Sequence, residues 1–291
     1  MLQKTIRELM RPPPGMEFDF SQPPGEPALA PAHGVSWQIF ANPIALFVGG
    51  VAAVLLELAE PSVRAGVWDH SNFQHDPGLR LRRTGFAAMM TVYGPRPAAE
   101  RLIARVVKVH GHVEGSTASG LPYRANDPRL LDWVHATATF GFTQAYHEYV
   151  RRLTPAELDA AFTEGLASAV LYGAHGTPSS WSAWEALLEA TAPGLEGSAT
   201  LADFLRIMST APILPAPLRP LQRLLVRAAV EIAPEPVRSL PQWRGRGLRP
   251  GEAVLVRGLA RLAGALPLKD SPAAQAALRM QGQPRGHRDW V

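Results

Sequence analysis

Any chemistry in this chain works without a thiol, because the sequence contains no cysteine. That excludes disulfides, Cys-based zinc or iron–sulfur sites and thiolate haem ligation. It also agrees with a reducing compartment. Histidine is then the natural metal ligand, and two histidines fall on the apolar stripes of helical segments. In Ala98–Val113, His110 follows Val106 by four and Ile103 by seven, so it joins a stripe with Leu102, Val109 and Val113. His112 aligns with Lys108, Arg105 and Arg101 on the polar face. One inward imidazole is the usual provision for a b-type haem iron. A core histidine bonded to a carbonyl is the commoner use of such a position. His135, four residues after Leu131, is the rival: an iron ligand, a hydrogen-bond partner of a cofactor, or a core residue. Neither helix carries an HxxxH, HxxE or ExxH pair, which disfavours zinc and di-iron carboxylate sites.

A second group is Arg80-Leu81-Arg82-Arg83-Thr84. Positions 80, 83 and 84 share one face of a helix start. Arg80 and Arg83 there can bind propionates or oxygen-derived anions, and Thr84 can donate to a ligand. The bland alternative is a solvated basic face. Carboxylates are sparse in the apolar segments: Glu57 reads as snorkelling or paired, and Glu60, beside Pro61, as an acid/base candidate. Gly49-Gly50 suggests close packing or the approach of a flat ligand. There is no Gly-rich phosphate loop, no GxSxG elbow and no dinucleotide fingerprint.

The elements that must position these residues read as helices throughout. The 291 residues are 46% hydrophobic and 19% charged, within the range of one large globular domain. The net charge of +4 comes with no dense basic block, so nucleic acid is not an expected partner. Residues 1–36 are rich in Pro and Gly and read as an extended arm. One helical pattern runs from Trp37 to about Leu58, and Pro61 opens a short turn of helix. After a loop over His70–Gly78, helices follow at 79–92, 98–113, 128–152 and 155–172. Asp127-Pro128 starts the third of these, and the Thr154–Glu157 capping box starts the fourth. Further helical segments cover 180–192, 201–208, 218–232 and 250–265, and the last ten residues read as a polar tail. No strand alternation stands out, so one all-α domain over 37–281 is the expected fold. The apolar run Ile44–Leu56 is too short to span a bilayer, which takes about 20 residues. It suits a buried helix and leaves open peripheral docking at a membrane surface. With no signal-peptide pattern at the N-terminus, a cytoplasmic location is expected.

Several of these segments in order resemble a known family. They are Ala59-Glu60-Pro61-x-Val63-x-Ala65-Gly66-Val67, His70-Ser71-x-Phe73-x-x-Asp76-Pro77-x-x-Arg80-Leu81-x-Arg83-Thr84 and His110-x-x-Val113-x-Gly115. Pro122–Pro128, Leu131-x-Trp133–Thr137, Ala145-Tyr146 and Leu153-Thr154-x-x-Glu157 complete the set. The ordered set resembles the family of the latex-clearing rubber oxygenases and the MpaB oxygenase, in detail over about residues 34–165. The resemblance implies a globin-like helical core binding one haem b, and dioxygen-dependent cleavage of isoprenoid C=C bonds in a hydrophobic small molecule or polyprenoid. By position, His110 matches the proximal iron ligand, and Arg80, Arg83 and Thr84 match the polar group opposite it. The rubber oxygenases carry a lysine where Arg83 stands. Arg does not readily ligate iron, so the resemblance implies an open or water-filled sixth position. Relatives commonly carry His in the context of Glu60. An apolar channel lined by the Ile44–Leu56 helix, Phe140 and Phe142 would admit the substrate. Two other readings use the same residues: a non-catalytic haem carrier or sensor, and a haem-free helical protein that binds an apolar ligand or partner.

Overall fold

The computed structural model describes residues 11–282. The chain is built around a helix that is apolar on every side. The segment Pro43–Ala59 (α2) buries thirteen of its seventeen residues, and only Glu57 among them is ionisable. A helix of that composition must bury most of its surface, and here only Leu46, Gly50, Val54 and Glu57, on one stripe, stay partly exposed. It lies against Pro128–Tyr149 (α6) along most of its length, and against Ala199–Thr210 (α9), Arg219–Glu231 (α10) and Glu252–Gly264 (α12) on its other sides. The remaining helices are Val35–Phe40 (α1), Pro61–His70 (α3), Pro77–Tyr93 (α4), Arg96–His110 (α5), Pro155–Tyr172 (α7), Trp181–Thr191 (α8), Glu235–Arg238 (α11) and Pro272–Gln281 (α13). The protein is all-α, as the periodicities predict.

The α2–α6 crossing depends on two glycines. A Cβ on Gly141 would lie 2.5 Å from the Gly49 carbonyl oxygen, and one on Gly49 would lie 2.6 Å from Phe142 Cα. The obstacle in both cases is backbone, which cannot rotate aside, so only glycine permits this approach. Of the two uses considered for Gly49-Gly50, the structure shows close packing at Gly49.

Local signals set most helix ends. Asp127 Oδ1 accepts from the Arg129 amide at 2.9 Å at the start of α6. At the start of α7, Thr154 Oγ1 accepts from the Glu157 amide while Glu157 Oε2 accepts from the Thr154 amide. Two expectations are corrected. The single helix over Trp37–Leu58 is two, because Asn42 Oδ1 accepts from the Ile44 and Ala45 amides and Pro43 opens α2. A short antiparallel hairpin pairs Glu114–Ser116 (β1) with Pro122–Arg124 (β2), too short to show an alternation. The helix α13, which Ser271 caps at the Ala274 amide, follows the segments read from the sequence, and the polar tail expected after it lies, but for Gly282, outside the described residues. Most of the Ile44–Leu56 run is buried, and only Leu46, Gly50 and Val54, one narrow stripe, are partly exposed. Among the described residues no single helix is long and apolar enough to cross a membrane.

Residues 11–34 run over the body and are buried at Phe20 and over 28–30. Phe20, Ala28, Leu29 and Ala30 pack with Met89, Tyr93, Ile103 and Ala276 in a second core. Arg279 of α13 ties this layer together. Its guanidinium, 0% exposed, donates to the carbonyls of Glu26, Phe20 and Tyr93 at 2.8, 2.6 and 2.6 Å. Tyr93 closes α4, so the cation also meets the negative end of a helix.

Candidate functional site

His110 is the last residue of α5, and its Nδ1 is buried with no hydrogen-bond partner. A buried ring nitrogen normally finds one, so the carbonyl bond of an ordinary core histidine is missing here. Burial pushes its pKa down, and the nearby charge of Arg80 pushes it the same way. The imidazole is therefore neutral at pH 7 and keeps a lone pair, although a helix C-terminus by itself would favour the cation. His112 is exposed, as its place on the polar face predicts. Val109 is corrected: it is 62% exposed. At 100° per residue His110 lies within roughly 20° of the buried Ile103, whereas Val109 lies roughly 120° away, outside the stripe.

Arg80 links the site. Asp76 starts α4 by accepting from the Leu79 amide, and the first turn then carries Arg80 inward. Its guanidinium donates to Thr84 Oγ1, which in turn donates to the Arg80 carbonyl at 3.0 Å. Burial lowers the pKa of Arg80; Glu57 opposes that, and Arg83 adds to it. The same charge is felt at His110. Four sequence candidates, His110, Arg80, Arg83 and Thr84, thus share one neighbourhood, and Glu57 joins them from α2. Thr84, Arg83 and the adjacent Gly85 are exposed, and a Cβ on Gly85 would meet nothing within 4 Å.

Glu57 is the residue that spacing undervalued. Burial raises its carboxyl pKa to about 7, with Arg80 only partly offsetting the shift. The sequence signal was a lone acid in an otherwise apolar helix. The folded protein holds this proton to about pH 7, while the unfolded chain releases it near 4.5. The unfolded state loses its proton first, so this group lowers stability as pH rises from about 4.5 to 7 and adds no slope above that. Glu57→Gln is therefore expected to match the parent at pH 4 and to exceed it at pH 8 in urea unfolding. Equal stability at both pH values would refute the shift.

Two other candidates are engaged elsewhere. Glu60 Oε2 caps α3 at the Val63 amide at 2.7 Å, and Oε1 pairs with Arg129 at 3.3 Å. Glu60→Ala removes both contacts and should cost about 1–2 kcal/mol, as for other helix caps, measured as a fall in the urea midpoint. His135 is wedged between α6 and α7: its Nδ1 is 3.1 Å from Thr177 Oγ1, and a Cβ on Gly165 would come within 3.0 Å of its ring. Burial takes its pKa down to about 4 despite a hydrogen bond with the Gly165 backbone. Both aromatic residues expected to line a channel have ring partners. Phe140 stacks on Trp184 with centroids 4.8 Å apart, and Phe142 packs on Phe40 at 4.6 Å. Among the described residues no group of three or more His, Asp or Glu side chains could hold a metal ion by itself.

The sequence matches the family described as ER-bound oxygenase mpaB/B'/Rubber oxygenase, catalytic domain, over residues 37–265. Two uncharacterized mycobacterial proteins, from Mycobacterium tuberculosis and Mycobacterium bovis, are each 26% identical over 174 residues. That stretch covers 58% of this chain and 68% of each relative. No solved structure matches the chain.

Proposed function

Because the chain belongs to the family of the mpaB and rubber oxygenase catalytic domains, we propose that it is a haem b-dependent oxygenase that cleaves a C=C bond of a hydrophobic, isoprenoid-like substrate. One alkene and one dioxygen give two carbonyl products, so atoms and electrons balance without an external reductant. The observation that carries the cofactor assignment is the buried, unpartnered Nδ1 of His110, whose pKa burial and Arg80 push down, toward the neutral imidazole. A haem iron needs only one strong protein ligand, so the lack of a three-residue metal cluster is compatible with it.

The residues present fit the group. Haem, when bound, supplies the redox centre that activates dioxygen. His110 would hold it, and its neutrality keeps the lone pair free. Arg80 is charged and fixed against Thr84, so it is preorganised to stabilise negative charge without rearranging. Arg83 offers further donors on the open side, while Thr84, whose one O–H goes to the Arg80 carbonyl, holds the Arg80 guanidinium in place. Glu57, with its proton held to about pH 7, can accept or return a proton near neutrality. The exposed turn of α4 at Thr84 and Gly85 and the half-buried Leu46, Gly50 and Val54 stripe of α2 are the places where the alkene would enter.

The test uses full-length protein from haem-supplemented cells. A Soret band is expected, together with dioxygen uptake on adding a short polyprenoid and two carbonyl products per alkene cleaved. A Soret band without uptake on any of several alkenes would leave a haem carrier. No Soret band at all would refute the proposal.

A further inference from the structure

The outer face of α12 has the wrong composition for a helix that meets only water. Its inner face, Val256, Ala260 and Ala263, is buried against the body. On the opposite side Val254, Leu255 and Leu262 are 68%, 59% and 61% exposed. At 100° per residue, Arg261, Val254, Ala265, Gly258, Leu262 and Leu255 form one continuous outer arc of roughly 120°. Gly258 lies within that arc, and a Cβ there would meet nothing within 4 Å. Only Arg261, at one edge, is charged, whereas a solvated helix face is normally polar throughout. Clustered exposed apolar side chains mark an interaction surface, and single ones do not.

Charge identifies the occupant. Residues 235–270 hold seven basic and three acidic side chains, which accounts for the whole of the chain's +4 excess. Arg249 precedes α12, Arg261 edges its outer arc and Lys269 follows it; all three are exposed. Arg261 and Lys269 have no salt bridge among the described residues, and Arg249 lies near Glu252. An apolar ridge with basic side chains at its ends and edge suits a helix lying in a lipid–water interface rich in anionic headgroups.

We propose that the Val254–Leu262 face of α12 docks this protein peripherally on an anionic lipid bilayer. Val254, Leu255 and Leu262 enter the interface, and Arg249, Arg261 and Lys269 contact headgroup phosphates. The proposal does not depend on haem or on the reaction.

The experiment is flotation of the full chain with vesicles of phosphatidylcholine alone, or with about a third phosphatidylglycerol, at low and high salt. Co-flotation with the anionic vesicles at low salt is expected, at least tenfold above that with phosphatidylcholine and weakened by salt. The Val254→Gln/Leu255→Gln/Leu262→Gln variant should lose it at least tenfold with an unchanged thermal midpoint. Arg249→Gln/Arg261→Gln/Lys269→Gln should lose the preference for anionic lipid. Failure of the parent to float, or flotation of the apolar triple variant like the parent, overturns the proposal. So does sedimentation showing a parent dimer that the apolar variant turns into monomer, because a second copy then covers the face.

Discussion

His110→Gly is expected to abolish the Soret band of protein prepared from haem-supplemented cells, and added imidazole is expected to restore it. The magnitude follows from what is removed. Altering an outer-shell partner of a metal ligand costs roughly 10–100-fold in affinity, so deleting the sole proposed protein ligand should cost on the order of 100-fold or more. Imidazole rescue separates loss of the ligand from loss of the fold, because a free base can occupy the vacated space but cannot refold a collapsed helix end. His135→Ala is the contrast. Its ring is held by Thr177 and abuts Gly165, so the variant should lose stability and keep the band. A band that persists without His110 and disappears without His135 would reverse the assignment.

The second large effect concerns Arg279. Arg279→Met keeps most of the side-chain volume but removes every donor to the Phe20, Glu26 and Tyr93 carbonyls. Three acceptors in a closed layer would lose their partner, each costing about 1–3 kcal/mol if left unpaired. The guanidinium itself is costly to bury, as its lowered pKa reflects, so part of the loss is recovered when it goes. A net destabilisation of about 3–5 kcal/mol is expected in urea unfolding, with faster proteolysis of residues 11–34. A loss below about 1 kcal/mol would mean that water or backbone movement satisfies those carbonyls.

Much of this fold was legible because its signals are local. Asp127-Pro128, Thr154–Glu157 and Ser180 announce helix starts within a few residues, and the structure uses each of them. Asn42-Pro43 is a signal of the same kind, hidden by the apolar pattern running across it. The site was legible in part. Periodicity places His110 inward and His112 outward, which depends only on 100° per residue. It cannot place Glu57 beside Arg80, because those residues belong to different helices and meet through packing. Nor could it show that Glu60 is occupied by Arg129, which lies 69 positions away. The engagement of Phe140 with Trp184 was equally out of reach, since an apolar residue in a core and one in a channel have the same pattern.

The encirclement of α2 has a consequence for how the protein is made. Its main partner, α6, begins at Pro128, and α10 at Arg219. At about 5–20 residues per second on a ribosome, the most apolar stretch of the chain emerges several seconds before the helices that cover most of it. Nascent chains of this protein are therefore sticky early and safe late. Its yield should follow translation speed between Ala59 and Pro128 and the supply of chaperones that shield that interval.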